Sequence, residues 1–225
     1  MSDATDLPPP VPAATVVVVR DSPGGLEVLL LKRSGVGAFA GMWVFPGGRV
    51  DETDVGDEEV DRARSAAVRE AAEEVALAVT PESLVTWAHW TPPPIQPRRF
   101  TTWFFVAPWS GEPVTVDGHE IVDHEWVRPS VALVDGRPVA PPTFVTLHEL
   151  AGIADLAALA LGPRHGVEHF VTRPARDGDV AYLLWHGDAG YESGDATLVG
   201  PRHRATMNGM TITAYERTAP AADSG

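Results

Sequence analysis

The sequence predicts an α/β (α+β) fold: an α/β/α sandwich around a mixed sheet, with a small C-terminal β-rich extension. Three observations carry that reading. Between about residues 14 and 161, short β-branched and aromatic runs alternate with two helical stretches. Those helical stretches are about Glu58–Ala78, with apolar residues at helical spacing, and Pro142–Leu161. Beyond residue 163 the texture changes to short strands separated by Gly/Asp turns. The length of 225 residues suits one domain plus an extension, and 44% hydrophobic residues can build its core.

Taken in order, residues 1–12 read as a polar, proline-rich flexible tail. Residues 13–162 form the main domain and 163–225 the extension. Ala14–Arg20 and Leu26–Lys32 are strands joined by a turn at Pro23-Gly24-Gly25. Ser34–Gly41 is a loop of small residues. Met42–Phe45 is a short strand entering a turn at Pro46-Gly47-Gly48. The first helix follows, stopped before Pro81. Leu84–Trp90 and Phe100–Ala107 are strands around the Pro92-Pro93-Pro94 loop. Ile121–Val127 is another strand and Pro129–Val134 a helical turn. Pro142 stands near the start of the second helix, and Gly162-Pro163 closes it. In the extension, Val167–Thr172, Val180–His186 and Met210–Tyr215 read as strands. The extension is expected to pack on the main domain.

Composition removes several classes of function. There is no cysteine, so disulfides, zinc–thiolate sites and cysteine nucleophiles are excluded. The histidines have no regular metal spacing. The formal net charge is −14, and Lys32 is the single lysine. Long-range attraction to nucleic acid is therefore not expected. The N-terminus has no basic region with a long apolar run, and Val16–Val19 is too short to span a membrane. The expectation is a cytoplasmic protein with no nucleic-acid or membrane partner.

The chemistry concentrates in residues 46–74. Glu70, Glu73 and Glu74 stand at i, i+3 and i+4, on one side of the first helix. At about 100° per residue, Val68, Ala71, Ala72 and Val75 fall nearly opposite them. One face is thus expected to pack and the other to display carboxylates. Like charges so close repel, and a hard divalent cation such as Mg²⁺ relieves them. Arg69 lies four residues before Glu73, within ion-pair reach. Gly47 and Gly48 let a backbone carbonyl approach a metal or phosphate closely.

A strand, a Gly-Gly turn, a loop and this acidic helix resemble the Nudix box. That pattern is a glycine, five residues, a glutamate, seven residues, then Arg-Glu-apolar-x-Glu-Glu-x-Gly-apolar. Gly48 matches its first glycine, and Arg69, Glu70, Ala71, Glu73, Glu74 and Leu77 match its second half. Two positions depart from it. The loop is seven residues longer, so counting back from Arg69 puts Asp61 at the first acid, with Glu52, Glu58 and Glu59 as alternatives. Ala76 replaces the closing glycine, so the helix is expected to run on to about Ala78.

The resemblance implies a Nudix-type sandwich that hydrolyses a nucleoside diphosphate linked to another group. Glu70, Glu73, Glu74 and the Gly48 carbonyl would hold Mg²⁺, with Mn²⁺ as a substitute. Glu70 or Glu120 would act as base, with Glu125 competing for the loop position, and Arg69 would orient the carboxylates. Arg33, Arg49, Arg98 and Arg99 are the candidate substrate-binding cations, because arginine suits bidentate phosphate contact. The segment Leu30–Gly48 resembles the branch that cleaves coenzyme A and acyl-CoA derivatives, while ADP-ribose, NADH and dinucleoside polyphosphates stay open. A homodimer is open by the same analogy. The alternative is a Nudix-fold sensor of nucleotide ligands with weak turnover.

Overall fold

The computed structural model describes residues 7–37, 39–95, 99–160, 162 and 166–218. Its centre is β1 (Val11–Ser22), whose valine run is buried on both faces. Ala14, Val16 and Val18 point to one layer, and Val17 and Val19 to the other. β1 turns through Pro23-Gly24 into β2 (Gly25–Arg33), with Ser22 opposite Gly25. β5 (Val85–Thr91), β6 (Phe100–Pro108) and β8 (Glu168–Val171) extend the sheet beyond β1 in the order β1-β6-β5-β8. β6 runs parallel to β1 from Val11 to Val19, and β8 runs parallel to β5.

The hairpin of β1 and β2 splays, and the next segment fills the gap. β3 (Trp43–Val44) pairs with Leu31 and Lys32 of β2. β4 (Gly47–Arg49) pairs with Ala13–Thr15 of β1. The expected turn at Pro46-Gly47-Gly48 is therefore mostly strand: only Phe45 and Pro46 separate β4 from β3. β7 (Ile121–Val127) lies on the far edge of β2.

Helices cover both faces. On one, α1 (Glu59–Val75) places Ala63, Ala66, Ala67, Ala71 and Val75 against β1, β2 and β6. The buried stripe is rotated from the expected one. Ala72 is exposed, whereas Glu74 is buried. On the other face, α2 (Pro129–Ala132), α3 (Pro141–Leu150) and α4 (Leu156–Leu159) cover Val17, Val19, Val28 and Leu30. The single second helix expected over Pro142–Leu161 is two. The chain breaks after Leu150, and Asp155 starts α4 afresh by accepting the Ala158 N–H at 2.8 Å.

The C-terminal segment adds a second, antiparallel sheet in the order β12-β11-β10-β9. Its strands are β9 (Arg173–Asp177), β10 (Val180–Leu184), β11 (His203–Asn208) and β12 (Thr211–Arg217). Trp185, Ala205 and Ile212 join the core beneath α3. No helix among the described residues is long and apolar enough to cross a membrane.

α1 stops at Val75, not at Ala78. Ala76 adopts φ 56°, ψ 30°, the left-handed conformation that normally selects glycine. Its N–H donates to Ala72 O, and the Leu77 N–H to Ala71 O, both at 3.1 Å. Leu77 is then buried in the α1 layer. That anchor holds an alanine in an unfavourable conformation. Ala76→Gly is expected to stabilise the fold by about 1 kcal/mol, measured by chemical denaturation. An unchanged or lower stability would mean that the left-handed cap costs nothing.

Candidate active site

Alanine packing sets the distance between α1 and the sheet. With no longer side chain between them, β4 passes directly beside Glu70 and Glu74. A Cβ on Gly47 would run into Ala14 O and the Thr15 backbone, and one on Gly48 would run into the Glu70 carboxylate. These glycines serve close approach rather than a positive φ. The two positions should therefore respond differently to alanine. Gly47→Ala meets rigid backbone and is expected to cost about 2–3 kcal/mol of stability. Gly48→Ala meets a side chain that can swing away, so activity should fall well before stability does. Paired melting curves and rate measurements on the two variants test this.

The three glutamates have different surroundings. Glu74 is 6% exposed and accepts the Gly47 N–H at 3.0 Å. Burial pushes its carboxyl up to about 8. The Gly47 bond and the Arg33 charge oppose that rise, and the charges of Glu70 and Glu120 add to it. Glu70 is partly buried, and burial raises its carboxyl too, against the hydrogen bond and charge of Arg69. Glu73 is exposed.

Arg69 is fully engaged. Its Nε donates to Asp54 Oδ1 at 3.2 Å and its Nη2 to Asp54 Oδ2 at 3.0 Å. Nη1 donates to Glu70 at 2.8 Å and to Glu73 at 3.3 Å, and Nη2 also reaches Arg49 O at 2.9 Å. The guanidinium thus ties the loop, the β4 end and two helix carboxylates into one unit. Asp54 is buried and also accepts the Asp51 N–H at 2.8 Å. Burial alone would raise the Asp54 carboxyl. The bonds from Arg69 and Asp51 outweigh it and leave the carboxyl below its usual range.

A second arginine serves the other end. Arg33, at a bulge between β2 and β7, donates from Nη2 to Glu120 Oε2 at 2.7 Å. Its Nη1 stands 3.7 Å from Glu74 Oε1, and its buried Nε has no hydrogen-bond partner. The loop carrying Glu120 is docked on the end of α1: the Thr115 N–H donates to Val75 O and the Asp117 N–H to Glu74 O. The Asp117 carboxylate then accepts the N–H groups of His119, Glu120 and Ile121. Glu120 accordingly joins the cluster. Glu125 pairs instead with Arg137 at 3.0 Å.

The remaining candidate cations do not gather there in the same way. Arg49 contributes its carbonyl to Arg69, and its side chain is exposed. Arg99 donates to Pro8 O at 2.7 Å, at the outer end of β6. Arg98 lies outside the described residues. Trp87, Trp90 and Phe105 are core residues, while Trp103 is partly exposed beside His89, with ring centroids 4.3 Å apart.

Among the described residues, no three His, Asp or Glu side chains converge closely enough as they stand to hold a metal ion. The donor set nevertheless suits a hard divalent cation. It consists of carboxylate oxygens, and one of them is a buried carboxylate whose nearest cation is 3.7 Å away.

The NUDIX domain family model matches residues 9–147. The chain belongs to the Nudix family. A NUDIX hydrolase from Alicyclobacillus acidocaldarius is similar over 67% of this chain and 95% of its own, at 24% identity and TM-score 0.60. The NUDIX domain of Shewanella oneidensis NrtR, solved with ADP ribose, is similar over 65% of this chain and 89% of its own, at 20% identity and TM-score 0.51. At these identities the likeness shows the fold. No curated protein sequence matches the chain. As a Nudix hydrolase, the protein is a pyrophosphohydrolase acting on phosphoanhydride bonds.

The Nudix spacing also identifies a residue that sequence reasoning missed. Counting back from Arg69 gives Asp61 as the first acid. In the structure Asp61 is exposed in the first turn of α1, whereas Asp54 holds Arg69. Counting forward from Gly48 past five intervening residues reaches Asp54 directly. The extra residues thus lie after the acid, in Val55–Glu58 and the opening turns of α1.

Proposed function

We propose that this Nudix hydrolase cleaves the diphosphate linkage of a nucleoside diphosphate joined to another group, with Mg²⁺ as cofactor. The observation that carries this reading is the meeting of Glu70, Glu74, Glu120 and Arg33 around the Gly47–Gly48 strand. Glu70, Glu73 and Glu74 are the proposed ligands, with the Gly48 carbonyl, and Mn²⁺ is a workable substitute. When bound, the cation polarises phosphoryl oxygens, offsets their charge and makes water more acidic. The Arg69–Asp54 pair fixes the Glu70 rotamer. Of the two candidate bases, Glu70 is favoured, because burial lifts its carboxyl towards the working pH. Glu120 is exposed and paired with Arg33, and Arg33 is the cation best placed for a phosphate.

The substrate is proposed to be of the coenzyme A or acyl-CoA, ADP-ribose or NADH type. The resemblance of Leu30–Gly48 supports the first and the ADP ribose complex of the NrtR domain the second. Incubating the protein with Mg²⁺ and ADP-ribose, NADH, coenzyme A and dinucleoside polyphosphates, with products followed by mass, decides among them. Cleavage of one compound into two phosphate-bearing fragments is expected. Thermal stabilisation by one compound without any cleavage would replace this reading with a ligand sensor.

A further inference from the structure

We infer that Asp117 is a positioning residue for the hydrolysis: its carboxylate shapes the loop that brings Glu120 to Arg33, and so sets the direction of the Arg33 fork. The inference rests on the reading of Arg33 as the phosphate-binding cation given above. It assigns a task to an aspartate that lies exposed in a loop and touches neither α1 nor Arg33 with its side chain.

The loop is anchored by the way α1 ends. A helix running on to Val79 would direct the Ala78 and Val79 N–H groups to Glu74 O and Val75 O. The left-handed turn at Ala76 prevents this, and the Ala78 N–H donates to the Glu112 carboxylate at 3.1 Å instead. The two helix-end carbonyls are taken by the Asp117 and Thr115 N–H groups, each at 3.1 Å. The strained cap at Ala76 thus leaves open the two acceptors that dock the loop. Through its backbone, Asp117 is pinned to Glu74, whose carboxylate stands 3.7 Å from Arg33.

From that anchor the Asp117 side chain organises the rest. Its Oδ1 accepts the His119 and Ile121 N–H groups, both at 2.9 Å, and its Oδ2 accepts the Glu120 N–H at 3.3 Å. The Gly118 N–H donates to Ile121 O at 3.1 Å and closes the loop. Ile121 is fully buried and lies opposite Arg33 in the β2–β7 pairing. Beyond it, Glu120 O accepts the Ser34 N–H at 2.8 Å. The backbone of Glu120 is therefore held on both sides, although its side chain is 65% exposed. An exposed ion pair between free side chains contributes little and fixes little. Here a held backbone aims the carboxylate at Arg33 Nη2, 2.7 Å away. With the Asp117 acceptor gone, three N–H groups lose their partner and Glu120 turns to solvent. Arg33 then loses its one close partner, and a guanidinium misplaced by about 1 Å can cost up to about a hundredfold in rate.

The test is a double-mutant cycle on Asp117→Ala and Glu120→Gln, with Asp117→Asn beside it. Each variant is assayed on whichever of ADP-ribose, NADH, coenzyme A and the dinucleoside polyphosphates the wild-type protein cleaves fastest, and amide hydrogen exchange of residues 119–121 is read in parallel. Asp117→Ala should lower kcat/KM by about tenfold to a hundredfold and lose the exchange protection of the three amides. Asp117→Asn should stay within about threefold of wild type, because its amide oxygen still accepts the two shorter bonds; it keeps the test open if the alanine variant folds poorly. With Glu120→Gln already in place, Asp117→Ala should cost less than about twofold more, since the two residues act as one unit. Additive losses would overturn the inference, because Asp117 would then serve the fold rather than Glu120. An asparagine variant as slow as the alanine one would overturn it too. Wild-type protein that cleaves none of the compounds would sink the hydrolase reading instead. Loop amides equally protected in wild type and Asp117→Ala would overturn the positioning role whether or not any compound is cleaved.

Discussion

Glu74→Gln is expected to lower turnover by about a thousandfold while making the metal-free protein more stable at pH 8. The two effects share one cause. Glu74 is buried against β4 with a single close hydrogen bond, from Gly47, and its nearest cation is 3.7 Å away. A glutamine of the same shape can accept that bond through its amide oxygen, and it carries no charge to desolvate. It also cannot supply the anionic oxygen that a divalent ion needs. A loss of about 4 kcal/mol of transition-state stabilisation corresponds to that rate. Activity surviving within tenfold of wild type would remove Glu74 from the metal site.

The pH dependence follows the same carboxyl. In the unfolded chain a glutamate titrates near 4.5, whereas burial raises folded Glu74 to about 8. Between those values the folded state holds a proton that the unfolded state has released. Stability is fully present below about 4.5 and is lost as the pH rises towards 8, at up to about 1.4 kcal/mol per pH unit. Glu149, raised to about 7 mainly by burial, acts in the same direction. His89, His148 and His203 are lowered by burial and oppose both below about 6.5. The difference between wild type and Glu74→Gln isolates the Glu74 share. In denaturant titrations from pH 5 to 8 the variant should lose less stability than wild type, and Mg²⁺ should restore the difference in wild type only. Parallel pH profiles would show that Glu74 is not buried as a charge.

Much of the sandwich was legible because its signals are local and apolar. The β1 valine run, the Pro-Gly turn and the Ile121–Val127 strand need no tertiary information. Sequence and structure differ where a polar residue is buried or where a residue other than glycine takes a left-handed conformation. A glutamate carries no apolar signal, so its burial at Glu74, with the alanine stripe rotated away from Ala72, is not legible from periodicity. Ala76 was expected to continue the helix, but the burial of Leu77 makes a left-handed alanine tolerable. β9 and β11 carry weak strand signals: Arg173–Asp177 is rich in charge and contains a proline, and His203–Asn208 has no β-branched residue but Thr206. In β11 the charge is paired inside the fold, Arg204 with Asp188 at 2.6 Å, whereas the charged side chains of β9 are exposed. In the site, the Gly48–Glu70 contact was implicit in the motif. The Arg33–Glu120 pair joins residues 87 apart and had no local signature.

Asp54→Ala is expected to cost about 3 kcal/mol of stability, and activity should fall with it. Asp54 is buried and receives two bonds from Arg69 and one from the Asp51 backbone. Truncation removes the anion but leaves the guanidinium partly buried beside Glu70 and Glu73. Breaking such a pair from one side is costlier than never building it, because the remaining charge has been desolvated for nothing. Arg69 also fixes Glu70, so the loosened guanidinium should let that carboxylate drift from its place beside Gly48. The rate should thus drop even at temperatures where the variant is fully folded. Asp61→Ala supplies the contrast. Asp61 is exposed in the first turn of α1 and should cost no more than about 0.5–1 kcal/mol, through the helix dipole alone. If denaturation and rate measurements gave the larger loss to Asp61→Ala, the role of first acid would pass from Asp54 back to Asp61.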